Sequence, residues 1–145
     1  MIYLDNSATT RPCAEAVEAI RRLLCETWGN PSSLHAVGFA AERELAAARQ
    51  AVAAALSAAP EEIVFTSGGT ESDNIAILGA AYARRKRGRH IVTTQIEHPA
   101  VLQTMAALEQ DGFDVTYLAP DGRGRISPDA IRAAVRPDTI LVSLM

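Results

Sequence analysis

The chain has 145 residues, with 14 Lys+Arg against 17 Asp+Glu for a formal net charge of −3, and is 48% hydrophobic, 21% charged and 5% aromatic. That composition excludes disordered, collagenous and membrane-embedded classes and describes a globular chain of ordinary single-domain length. The slightly acidic balance argues against a polyanion as the main partner, since nucleic-acid binders carry surplus positive charge; of the 14 basic residues only Lys86 is a lysine.

The opening Met1-Ile2-Tyr3-Leu4-Asp5-Asn6 lacks a basic region followed by an apolar run, so it is no secretory signal. The longest largely apolar stretch, Ile75 to Ala83, is far shorter than the ~20 residues that cross a bilayer. The expected compartment is therefore the cytoplasm, with Cys13 and Cys25 reduced. Twelve residues apart on one helix, they would lie about 18 Å from each other along its axis, beyond disulfide reach. Their spacing fits no metal or redox signature, neither lies beside a group that favours a thiolate, and both read as structural.

Val17, Ile20, Leu24 and Trp28 at three- and four-residue steps predict an amphipathic helix over 13–27, with Pro12 near its start and Gly29 at its end. Ala41, Leu45, Ala48, Val52 and Leu56 repeat the pattern over 37–57 in an alanine-rich helix suited to close packing. After Pro60 the period changes. Ile63-Val64-Phe65-Thr66 predicts a short buried strand, broken by Ser67-Gly68-Gly69 before a helix from about Thr70 to Lys86. Then follow a strand at 90–94, a helix at 99–110, a strand at 113–118, a short helix capped by Ser127-Pro128-Asp129, and a strand at 139–144. Apolar strands separated by helices imply a mostly parallel sheet with helices on both faces. The chain thus reads as residues 1–60, a segment with two helices, and residues 61–145, the first β-α-β-α-β-α-β part of an α/β domain. Because 141–145 lies in or at the carboxyl edge of a buried strand, where α/β sheets bind ligands, the chain is expected to be the N-terminal piece of a longer protein.

Two places carry chemistry. In Phe65-Thr66-Ser67-Gly68-Gly69-Thr70-Glu71-Ser72-Asp73-Asn74, paired glycines between strand and helix let backbone N–H groups approach an oxygen-rich ligand. The helix start adds positive partial charge, and the Ser67 or Thr70 hydroxyl can donate, so a phosphate is the natural guest. The pattern is neither a Walker loop nor G-x-G-x-x-G. It also suits a plain turn with Thr70 and Asp73 as a capping box. Glu97-His98-Pro99 follows the strand at 90–94 and sets His98 at the carboxyl edge, one strand over from the glycine turn. Its ring can exchange protons near neutral pH or stack on an aromatic cofactor, and a loop histidine can equally be structural. The basic run Arg84-Arg85-Lys86-Arg87-Gly88-Arg89 suits the negative end of a helix dipole better than a nucleic-acid patch.

Tyr3-Leu4-Asp5-Asn6-Ser7-Ala8-Thr9-Thr10, Gly29-Asn30-Pro31-Ser32-Ser33 with His35 and Gly38, the segment Ile63 to Asn74, Glu97-His98 and Thr139-Ile140-Leu141-Val142-Ser143 occur in one order along the chain. Together they resemble the cysteine desulfurase family, pyridoxal-phosphate enzymes of the class V aminotransferase group. The resemblance implies the N-terminal part of a fold-type I pyridoxal-phosphate-dependent transferase, with residues 1–60 as an N-terminal active-site segment and helices and 61–145 as the truncated first part of the cofactor-binding α/β domain. It also implies pyridoxal 5'-phosphate as cofactor, with Gly69 and Thr70 on its phosphate and His98 stacked on its ring and relaying protons. The family reaction takes sulfur from L-cysteine, leaving L-alanine and an enzyme persulfide that passes sulfur to an acceptor protein for iron–sulfur cluster or tRNA sulfur chemistry. Members are usually homodimers, and no metal is implied. Such chemistry needs a lysine amine, and Lys86 is the only one. The family's Schiff-base lysine and persulfide cysteine match no residue here, so the 145 residues alone are expected to be inactive. Open alternatives are another class V enzyme (a selenocysteine lyase or an aminotransferase), a non-catalytic interaction module, or RNA binding through the basic run.

Overall fold

A computed structural model describes residues 2–145. Its elements in chain order are α1 (Ala14–Glu26), α2 (Ala36–Leu56), a 3-10 turn (Pro60–Glu62), α3 (Gly69–Arg84), β1 (His90–Thr94), α4 (Pro99–Gln110), β2 (Asp114–Leu118), α5 (Pro128–Ala134) and β3 (Thr139–Val142). The chain divides into two compact units, the first running to Val64 and the second Phe65–Met145.

In the first unit α1 forms as its periodicity predicts, yet it buries none of its residues. Val17 and Ile20 are each about half exposed, and Leu24 and Trp28 more so. The Arg22 guanidinium donates both arms to the Glu44 carboxylate of α2, at 2.7 and 2.8 Å, the fork geometry that favours arginine over lysine. His35 caps α2, its Nδ1 accepting from the Gly38 N–H at 3.2 Å. Gly38 is required by close approach: a Cβ there would sit 2.3 Å from the Ser33 carbonyl oxygen. Ser57 closes α2 in the left-handed region. Cys13 and Cys25 are free and exposed rather than part of a core.

The second unit is built on a three-stranded parallel sheet of order β2-β1-β3. β1 pairs with β2 from His90↔Asp114 to Thr94↔Leu118 and with β3 from His90↔Thr139, with one register shift between His90 and Ile91. The central strand is buried throughout, which explains why His90-Ile91-Val92-Thr93-Thr94 shows no polar alternation. The step from β1 to β2 and the step back to β3 run in opposite directions, and right-handed crossovers then put α4 and α5 on opposite faces. Ile91 and Ile140 of the sheet, Phe113 beside it, Ile77 and Ala81 of α3, and Val101, Met105 and Leu108 of α4 form one core.

His90 staples the sheet. Its Nδ1 lies 2.7 Å from Thr139 Oγ1 of β3 and its Nε2 2.9 Å from Thr116 Oγ1 of β2, so one buried ring satisfies both its nitrogens on the two neighbouring strands. The strand expected at 63–66 does not form. Those residues pair with no strand among the described residues, and Val64 and Phe65 are 66% and 45% exposed. Local β-propensity does not make a strand without a neighbouring ladder. No helix among the described residues is long and apolar enough to cross a membrane.

Candidate functional site

Helix α3 begins at Gly69, one residue before the sequence reading placed it, and this shift decides how its end is capped. The Thr70–Asp73 capping box does not form. Instead the Glu71 carboxylate folds back over the turn, Oε2 accepting from the Ser67 N–H at 2.6 Å and from its hydroxyl at 2.7 Å. These two bonds hold the Glu71 carboxyl below its ordinary range. The Thr66 and Ser72 hydroxyls meet at 2.6 Å, and Ser72 Oγ lies 3.2 Å from the Gly68 carbonyl, which ties the turn to the first turn of the helix.

Ser67 is thereby committed to Glu71, while Gly69 and Thr70 remain open. Their N–H groups are among the first of the helix, which have no intrahelical acceptor, and none from elsewhere reaches them among the described residues. A Cβ built on Gly68 or Gly69 meets nothing within 4 Å. Packing inside the chain therefore does not explain these glycines. Two free amides, a helix dipole and open space above them fit a phosphate.

His98 is the N-cap of α4 and follows β1 at the carboxyl edge of the sheet, where α/β folds take ligands. Its Nδ1 accepts from the Ala100 N–H at 3.1 Å. The neutral ring thus carries its proton on Nε2, which has no protein partner among the described residues. The expected geometry of His98 lying one strand over from the glycine turn is corrected, since no strand precedes that turn. The packing of α3 against α4 sets the starts of the two helices side by side, with Thr70 and Ala100 lining one cleft.

Two links here are not announced by the sequence. Glu97 is buried, its Oε1 accepting from Thr94 Oγ1 at 2.9 Å and from the Met145 N–H at 2.7 Å, so it ties the end of β1 to the segment after β3 and anchors the loop carrying His98. Asn74 and Thr104 join α3 to α4 through a 2.8 Å bond from Thr104 Oγ1 to Asn74 Oδ1. A buried hydroxyl among Ala100, Val101, Met105 and Leu108 was the available signal for Thr104. The basic run ends α3 with Arg84 to Arg87 exposed, while Arg89 lies over the Phe113 ring at 5.8 Å. Among the described residues no cluster of His, Cys, Asp and Glu could hold a metal ion.

The sequence matches the family model for class-V aminotransferases over residues 2–145. The chain belongs to the class-V aminotransferase family. It is 53% identical over 144 residues to the cysteine desulfurase IscS of Methanosarcina thermophila, a match covering 99% of this chain and 36% of that protein. Among solved structures, SspA in complex with cysteine superposes with a TM-score of 0.87 at 39% identity, over 98% of this chain and 41% of that one. A C-DES variant with glycine covalently linked to its PLP cofactor superposes with a TM-score of 0.70 at 25% identity, over 90% and 34%. The chain thus spans well under half the length of the relatives it matches, and its parallel α/β sheet is that of the N-terminal part of their fold.

Proposed function

We propose that the protein is a cysteine desulfurase acting on L-cysteine with pyridoxal 5'-phosphate, and that these 145 residues supply the phosphate and ring contacts of its cofactor site. The observation that carries the reading is the start of α3: open amides at Gly69 and Thr70 beneath glycines that no packing demands. The Thr70 hydroxyl would add a third donor. When bound, the cofactor supplies an electron-withdrawing ring that stabilises negative charge next to the substrate amine.

The chain's own residues bind and orient. The helix start holds a dianion without a buried cation, because its partial positive charge is fixed and already aimed. His98 has Nδ1 fixed by Ala100, so the ring is held in one orientation and exchanges its proton at Nε2. The covalent anchor is not among these residues. Lys86 lies beyond the far end of α3, and that helix of 16 residues is about 24 Å long at 1.5 Å per residue, so a lysine side chain does not bridge back to Thr70.

The reading extends to a cytoplasmic homodimer that hands sulfur to an acceptor protein. The exposed apolar row on α1 supports association with further protein surface. The experiment is to supply the intact protein with pyridoxal phosphate and L-cysteine and to quantify L-alanine and sulfide under reductant. Equimolar alanine and sulfide are expected. Alanine from selenocysteine alone, or amino-group transfer to a keto acid, would replace the desulfurase reading with another class V activity.

A further inference from the structure

The two helices that start at the proposed cofactor contacts are joined by a continuous hydrogen-bonded chain. Asn74 Nδ2 donates to the Thr70 carbonyl at 2.8 Å, and Asn74 Oδ1 lies 2.8 Å from Thr104 Oγ1. That hydroxyl also lies 2.8 Å from the Ala100 carbonyl, so its single proton is shared between two acceptors. The Ala100 N–H then donates to His98 Nδ1 at 3.1 Å. One end of the chain is the residue offering a phosphate amide, and the other is the histidine ring.

We propose that Asn74 and Thr104 are positioning residues that fix the start of α3 against the start of α4, so that the phosphate turn and the His98 ring are held as one unit. The inference rests on the cofactor reading of Gly69, Thr70 and His98. Three observations favour a positioning role over simple packing. Thr104 is 3% exposed on an otherwise apolar helix face, where its bond to Ala100 already satisfies the hydroxyl; the bond to Asn74 is not needed to bury it. Asn74 occupies a helical position where asparagine is a poor helix former. A cleft of about 160 Å³ opens between the helices at this level, lined by Thr70, Asn74, Gln103 and Thr104 among others. Leu78, Ala100 and Ala107 line the same cleft, and the open space among them leaves the two helices short of full contact at this level. Each clamp residue lies one turn into its helix, four residues after the carbonyl it bonds, so the link acts at the height of the site. Displacements of the order of 1 Å at that height matter to a bound, oriented ligand.

The test compares Thr104→Val, which keeps the shape and removes the hydroxyl, with Thr104→Ser, which keeps the hydroxyl. The readout is the ratio of affinities of the intact protein for pyridoxal phosphate and for pyridoxal, the same ring without phosphate. Loss of one hydrogen bond of ordinary net strength predicts about a fivefold fall in that ratio for Thr104→Val, with Thr104→Ser at the wild-type ratio. Asn74→Ala, on the outer side of the link in a helix that alanine favours, should fall with Thr104→Val and guards against a folding failure of the latter. An unchanged ratio in Asn74→Ala and Thr104→Val, or an equal fall in Thr104→Ser, overturns the clamp. A wild-type protein that does not distinguish the two ligands overturns the cofactor reading itself, and the clamp with it.

Discussion

Gly69 and Gly38 offer a paired substitution in which the structure predicts opposite signs for stability. Gly69 is the first residue of α3, outside the positive-φ region, and an added Cβ meets nothing within 4 Å. Gly69→Ala should therefore stabilise the fold by about 0.4–1 kcal/mol, because alanine restricts the unfolded chain and fits the native backbone. In Gly38→Ala the new Cβ would lie 2.3 Å from the Ser33 carbonyl oxygen and 2.8 Å from that of Asn30. Both are backbone atoms, so the 30–38 loop must move by about an ångström, and the cap bond from the Gly38 N–H to His35 is lost with it. Overpacking and a lost cap together predict a cost of about 3 kcal/mol. Urea denaturation of both variants reads these values directly. Binding of pyridoxal phosphate, followed through its absorbance, should fall at least tenfold in Gly69→Ala, since the methyl occupies the space the phosphate needs. A Gly69→Ala variant destabilised by more than about 1 kcal/mol would show that the space above the turn is filled by the protein. One that binds the cofactor as wild type does would show that the turn is not the phosphate cradle.

His90→Leu removes the ring that bridges Thr116 and Thr139 and should cost about 2 kcal/mol, one net hydrogen bond on each side. The double variant His90→Leu/Thr116→Val should regain about half of this, because the Thr116 hydroxyl is then no longer stranded while Thr139 Oγ1 keeps the Arg136 N–H; strictly additive losses in urea melts would contradict the bridge. The Tyr117 phenol is pushed up to about 12 by burial and by its 3.0 Å bond to Glu109. Its neutral form is thus favoured in the fold, and this contribution to stability is complete below pH 10 and lost as pH rises through about 12. An ultraviolet titration should find Tyr117 ionising late, and Tyr117→Phe should remove that late step; a normal phenol midpoint would refute the placement.

From residue 90 onward the architecture was legible because local signals agree with the tertiary outcome. His98-Pro99 and Ser127-Pro128 start helices with side-chain caps that do form, and the central strand shows no polar alternation because both faces are covered. The misreadings lie where two parts of the chain had to meet. Ile63 to Thr66 has the composition of a strand but joins no ladder among the described residues. Thr70 and Asp73 have capping-box spacing, yet starting the helix at Gly69 gave that work to Glu71 and Ser67. The candidate contacts Gly69, Thr70 and His98 could be named from residue type and position at element ends. Their connection could not, since Asn74 and Thr104 are thirty residues apart and neither belongs to a spacing pattern that announces a bond.

The order of helices and strands after Ser67, the glycine-opened helix start and the scarcity of lysine follow from the sequence alone, because each depends on residues close in the chain or on a count. Which amides stay open, which ring nitrogen of His98 is committed and that His90 satisfies both neighbouring strands are settled only by the tertiary packing. Those properties depend on which groups burial and packing bring within about 3 Å of one another, and hydrogen bonds exist only at that range.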